Sequence, residues 1–162
     1  MAARFDFRLL PAPPGSIDAR NARLGRLHAY WADKCAGRPM PSRSDIDPLE
    51  MREWLGNLLL AEFFGDVEHY RVRVDGTNLI GHRGRDRTGK GSETLTSREE
   101  RDLIQAQYKF VLGAAQPAYF EAEFNNSEGR FLREQKLLLP LSNDGVTVNM
   151  VLAGIYYQDL SG

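Results

Sequence analysis

The chain has 162 residues, 42% hydrophobic and 27% charged, with a formal net charge of −1. These are ordinary values for one globular domain, and they set aside intrinsic disorder and collagen-like order. The near-zero charge argues against a general nucleic-acid-binding surface. No apolar run approaches the roughly 20 residues that cross a bilayer, and the early prolines and Asp6 leave no continuous apolar stretch for a signal peptide. Cys35 is the single cysteine, so neither an internal disulfide nor a Cys-rich zinc site can form. A soluble cytoplasmic domain is the expectation.

Residues 1–21 read as an N-terminal arm, in which Pro11, Pro13, Pro14 and Gly15 oppose regular structure. The domain proper is expected over 22–162. Residues 22–36 predict an amphipathic helix, with Leu24, Leu27, Trp31 and Cys35 on one stripe, ended by Gly37 and Pro39. Asp47 and Pro48 open a second, short helix that closes near Leu55 and Gly56. Asn57 to Phe64 is an apolar run of strand length. His69 to Val74 alternates, with Tyr70, Val72 and Val74 on one face and Arg71 and Arg73 on the other.

Residues 76–92 are basic and irregular, with one helical turn allowed over 78–82. Ser97 and Glu100 form a capping box at the head of the clearest helix, 97–114. Ala118 to Asn125 is a strand with Phe120, Ala122 and Phe124 on one face and Tyr119, Glu121 and Glu123 on the other. A turn at 126–129 leads to its partner, 131–139, and a turn at 143–145 leads to the last strand, 146–157.

This order predicts an α+β domain with a five-stranded antiparallel sheet and helices on one face. The runs Leu58–Leu60, Leu137–Leu139 and Met150–Ile155 are apolar at successive positions, so both sheet faces need cover. The N-terminal helix can cover the second face, packing on the sheet or on a dimer partner. Leu24, Leu27 and Trp31 are its candidate dimer or partner residues.

The segments RLHAYWADKCAGRPMPSRSDIDP (26–48), YRVRVDGTNLI (70–80) and GRDRTGK (84–90) resemble a family of small bacterial single-domain PAS proteins. The motifs are Gly37 to Pro41, Asp47–Pro48, Tyr70–Arg71 running into Gly76–Thr77, and Gly84 to Gly89. Gly76 and Gly89 are expected at turns with positive φ. The likeness covers roughly residues 22 to 157. It implies a PAS fold, either a sensor that holds a small ligand between the sheet and the middle helices or a ligand-free protein-interaction domain. It also implies a homodimer or a docked regulatory protein, such as a signalling kinase, reached in trans because no output domain is attached. On that architecture and on strand parity, Tyr70, Val72, Tyr108, Phe120 and Asn149 are pocket candidates, with His82 and Arg83 at the rim.

The residues argue against the familiar PAS cofactors. Residues 76–92 contain no cysteine for covalent flavin chemistry, and residues 97–114 contain no histidine for haem. Catalysis finds no better footing. His28 and Cys35 are separated by about 10.5 Å of helical rise, too far for a nucleophile and its base. Glu121 and Glu123 fit a solvated face or a pairing with Arg133 better than acid–base work. The glycine-rich stretch 81–91 lacks the ending of a phosphate-binding loop. The chain is therefore expected to be no enzyme, with no metal site.

Overall fold

The computed structural model describes residues 6–10, 16–95, 97–126 and 128–162. Six strands form one antiparallel sheet: β1 (Asp6–Leu10), β2 (Leu58–Phe63), β3 (Tyr70–Asp75), β4 (Ala118–Asn125), β5 (Phe131–Leu141) and β6 (Met150–Asp159), in the order β1-β4-β5-β6-β2-β3. The helices are α1 (Ser16–Arg20), α2 (Ala22–Cys35), α3 (Thr77–Arg83) and α4 (Arg98–Ala114). The five expected strands and the expected antiparallel pairings are present. The sixth, β1, comes from the segment expected to be an irregular arm: its backbone pairs with the β4 edge from Asp6↔Glu123 to Leu10↔Tyr119. Pro11, Pro13, Pro14 and Gly15 lie outside the described residues.

Helix α2 forms where the apolar stripe placed it. Asn21 caps it, its side-chain oxygen accepting from the backbone N–H groups of Arg23 and Leu24. The same carboxamide donates to Gln135 Oε1 at 3.0 Å, tying the start of the helix to β5. Leu24 and Leu27 are fully buried and Trp31 nearly so. They lie on the back of the sheet over Gly154, where an added Cβ would come within 2.6 Å of Leu27 Cδ2 and 2.8 Å of Leu24 Cδ2. Trp31 Nε1 donates to the Pro140 carbonyl at 2.8 Å. The chain's own sheet is thus the partner of this stripe, and Leu24, Leu27 and Trp31 are not presented outward as a dimer surface.

The second helix expected after Asp47 is instead a pair of 3-10 turns, Pro48–Met51 and Leu55–Asn57. Asp47 does act as the cap, accepting from Leu49 N at 2.9 Å.

Two local expectations change. The β2–β3 pairing shifts register between Leu60 and Ala61: Ala61 faces Val72, whereas Leu60 faces Val74. This bulge takes up Arg73 as an extra residue and turns the strand over beyond it. Val74 therefore leaves the face of Tyr70 and Val72 and joins Leu58, Leu60 and Leu152 on the back, while Asp75 turns to the front. Gly76 has φ −64 and not a positive value. Glycine is needed there because a Cβ would lie 2.3 Å from the Gly56 carbonyl oxygen. Gly89 does have positive φ, at 80.

Candidate functional site

A cavity of about 320 Å³ opens between the front of the sheet and helices α3 and α4, within the usual size range of small-molecule sites. Strand alternation supplies its floor. Leu59 on β2, Tyr70 and Val72 on β3, Ala122 and Phe124 on β4, Glu134 and Lys136 on β5, and Ile155 and Tyr157 on β6 all face it. Helix α4 brings Leu103, Ile104, Gln107 and Tyr108 over the top, and α3 with the following loop brings His82, Arg83 and Arg87 to one side. His82 and Asn125 are exposed and mark the mouth; Lys136, Gln107 and Tyr108 are buried inside.

Of the residues singled out in the sequence, Tyr70, Val72, His82, Arg83 and Tyr108 are brought together here. Tyr70 and Tyr108 meet edge to face at 5.3 Å, with Phe63 closing the aromatic group. Burial holds both phenols protonated, pushing Tyr70 up to about 12 even with Arg87 nearby and Tyr108 higher still. His82 lies against the Tyr157 ring, centroids 4.3 Å apart.

Two candidates lie elsewhere. Phe120 is buried on the cavity side of the sheet but packs edge-on against Phe110 of α4 at 6.4 Å, outside the cavity lining. Asn149 precedes β6 and works as a turn residue. Its side-chain oxygen accepts from Asn143 N at 3.1 Å, and its carbonyl accepts from Phe63 N at 2.9 Å.

The sequence reading missed most of the cavity's charge. The β3 bulge aims Asp75 inward, where Arg83 grips it through both guanidinium Nη atoms and Arg87 N donates to Oδ2 at 2.9 Å. Arg87 Nη2 in turn reaches Glu100 Oε1 at 2.9 Å. Ser97 caps α4 as expected, accepting from Glu100 N at 3.3 Å. The Glu100 carboxylate is engaged with Arg87, so only half of the capping box forms.

Lys136 is the least expected member. It is buried in the floor, and it donates to Gln107 Oε1 at 3.0 Å. Burial lowers the pKa of its ammonium from the ordinary lysine value, with Glu134 acting in the opposite sense. The hairpin register carried the signal that could have found it. Once Phe120 and Ala122 face inward, their partners Lys136 and Glu134 must do so as well.

Glu121 and Glu123 point to the back of the sheet. Arg20 pairs with Glu121 at 3.2 Å and Arg133 with Glu123 at 2.8 Å, so this pair is bound up in surface ion pairs. Cys35 ends α2, across the sheet from the cavity, and as the chain's single cysteine it leaves the cavity no thiol for a covalent chromophore. Among the described residues no cluster of three or more metal-ligating side chains forms, and no helix is long and apolar enough to cross a membrane.

An antiparallel sheet with α3 and α4 laid over a cavity on one face defines an α+β domain with room for a small molecule. The family model described as PAS domain matches residues 20–156, and the chain belongs to that family. Among solved structures, an RNA-binding light-oxygen-voltage receptor is similar with a TM-score of 0.50 at 10% identity, covering 99% of this chain and 40% of that one. That likeness extends to the fold. The PAS domain of the fruit-fly ELK potassium channel aligns with a TM-score of 0.45 at 15% identity, over 70% of this chain and 94% of that one. No relative among curated proteins matches the chain.

Proposed function

We propose that this PAS module senses a small molecule in the cavity beneath α3 and α4 and signals in trans, in the cytoplasm, by docking on a regulatory protein such as a kinase. It works as a homodimer and by binding, not by catalysis. The observation that carries this reading is the cavity itself. It combines about 320 Å³ of space with apolar walls and several inward polar groups, the usual composition of a small-molecule site.

The first test is a native mass spectrum and an absorption spectrum of freshly purified protein. A mass beyond that of the chain, lost on denaturation and lost in Ala122→Leu, supports the reading, because leucine at 122 fills the space beside the floor. An unliganded mass that no member of a metabolite panel alters overturns the sensing half.

A second reading, a ligand-free interaction domain, is favoured by a separate feature. On the back of the sheet, Leu49, Leu55 and Val74 are exposed beside a small groove lined by Ile46, Met51, Leu58 and Leu60. Sedimentation of wild type and of Leu55→Ser with Val74→Ser distinguishes the two. A change in assembly with no effect of any metabolite on the wild type favours the interaction domain.

A further inference from the structure

The charged groups around the cavity balance in number, Asp75, Glu100 and Glu134 against Arg83, Arg87 and Lys136, but they do not all pair. Asp75 is taken by Arg83 and by the Arg87 backbone, and Glu100 by Arg87. Glu134 is set against the Tyr157 hydroxyl, which burial and that neighbouring charge keep protonated. Lys136 is left over: no carboxylate among the described residues comes within ion-pair distance of its ammonium. Among the described residues it donates one hydrogen bond, to Gln107 Oε1, which leaves two N–H groups without an acceptor there. Gln107, 1% exposed, turns its oxygen to Lys136, which leaves its amide NH2 as the donor end of the side chain. Arg87 Nε, buried at the side, has none either.

The inner end of the cavity is therefore lined by donors, and of its carboxylates Asp75 and Glu100 are engaged in ion pairs while Glu134 is set against Tyr157. Unpaired buried donors and an unpaired buried cation are unfavourable in an empty site. A neutral acceptor would satisfy the donors but not the cation, and a cationic guest would leave both in place. An anion accepting from Lys136 and Gln107 would satisfy both, by charge-assisted hydrogen bonds in a site shielded from water. The walls running outward toward the mouth, Ile104, Phe124, Ile155 and Tyr157, are apolar or aromatic.

We propose that the cavity's ligand is a small organic monocarboxylate, its carboxylate held by Lys136 Nζ and the Gln107 amide and its apolar body laid along Phe124, Ile155 and Tyr157. This rests on the cavity-sensing reading above and adds the ligand's chemical class. Lys136 anchors the charge, and Gln107 holds the ammonium while donating to the same guest. The body of the ligand selects by size.

The test is a titration of the isotopically labelled full chain, followed by NMR, with hexanoate, phenylacetate and indole-3-acetate and, separately, with their primary amides. The carboxylates are expected to move the resonances of Lys136, Ile155 and Tyr157 and to bind at least about tenfold more tightly than the amides, the difference between charge-assisted and neutral hydrogen bonds. Lys136→Met should erase that preference. Gln107→Glu is the second variant: it places a carboxylate beside Lys136, keeps the side-chain size, and should likewise exclude the acids. Amides binding as tightly as acids, or a preference that survives in a folded variant, would overturn the monocarboxylate assignment while the cavity reading stands. If no acid and no amide moves the cavity resonances, the monocarboxylate assignment falls, and the metabolite panel above decides the cavity reading.

Discussion

Arg83 and Asp75 face each other through two nitrogens and two oxygens, and the Asp75 side chain is wholly sealed from solvent. This pair joins the last residue of β3 to the last residue of α3, so it fixes the helix that walls the cavity. The carboxylate also receives the Arg87 backbone N–H. Asp75→Asn keeps the shape but leaves Arg83, 15% exposed, without its counter-charge. Breaking a buried pair on one side costs about 3–5 kcal/mol. Urea denaturation should show a loss of that size, and a double-mutant cycle with Arg83→Met should show strong coupling.

Trp31 separates a helix that packs on its own sheet from one that reaches a partner. Trp31→Ala should lower stability by about 3–5 kcal/mol, the range for emptying a buried tryptophan site. Trp31→Phe removes the donor to the Pro140 carbonyl and should cost about 1–3 kcal/mol. Circular dichroism during denaturation reads both losses. Sedimentation of Trp31→Phe should give the wild-type assembly state, because the ring faces the chain's own core.

Gly154 lies where α2 presses closest to β6. A methyl there meets two leucine Cδ2 atoms inside normal contact distance. Gly154→Ala should destabilise by about 1–3 kcal/mol through overpacking. Pairing it with Leu24→Ala should cost less than the sum of the two single losses in the same denaturation experiment.

Lys136 gives the fold a pH dependence of known sign. Burial lowers its folded pKa below the 10.5 of the unfolded chain. Between those values the unfolded chain binds more protons, so stability rises with pH across that window and is lowest below the folded pKa. Glu134 and Glu100 draw the ammonium's pKa up, and Arg83 and Arg87 push it down. Stability curves measured from neutral to alkaline pH should slope upward in wild type and lose that component in Lys136→Met. The variant should also be the more stable of the two at neutral pH.

The sheet and α4 were legible because their signals are local and repetitive. Ala118–Asn125 was read to the residue, and the stripe Leu24, Leu27, Trp31 identified α2. Strand β1 was hidden by its neighbours: the prolines at 11, 13 and 14 dominate any local reading, whereas a strand of five residues exists only through its pairing with β4. Part of the cavity was legible, Tyr70 and Val72 by strand parity and His82, Arg83 and Tyr108 by their place in the chain. Asp75 was not, since a bulge changes which face follows it and leaves no mark in an alternating sequence. Glu100 was concealed by a plausible local role, the capping box, which competes with a long-range partner at Arg87. Lys136 was concealed by burial, because a lysine beside Leu137 to Leu139 reads as the exposed end of an apolar run.

The contact between Gly154 and α2 reaches further than packing. A slip of β6 by one residue would exchange its faces, sending Gly154 to the front and setting Ile155 or Ala153 beneath Leu24 and Leu27. Neither has room there. The missing side chain on one face of β6 therefore acts as an alignment pin, and it decides that Ile155 and Tyr157 meet the cavity on the other.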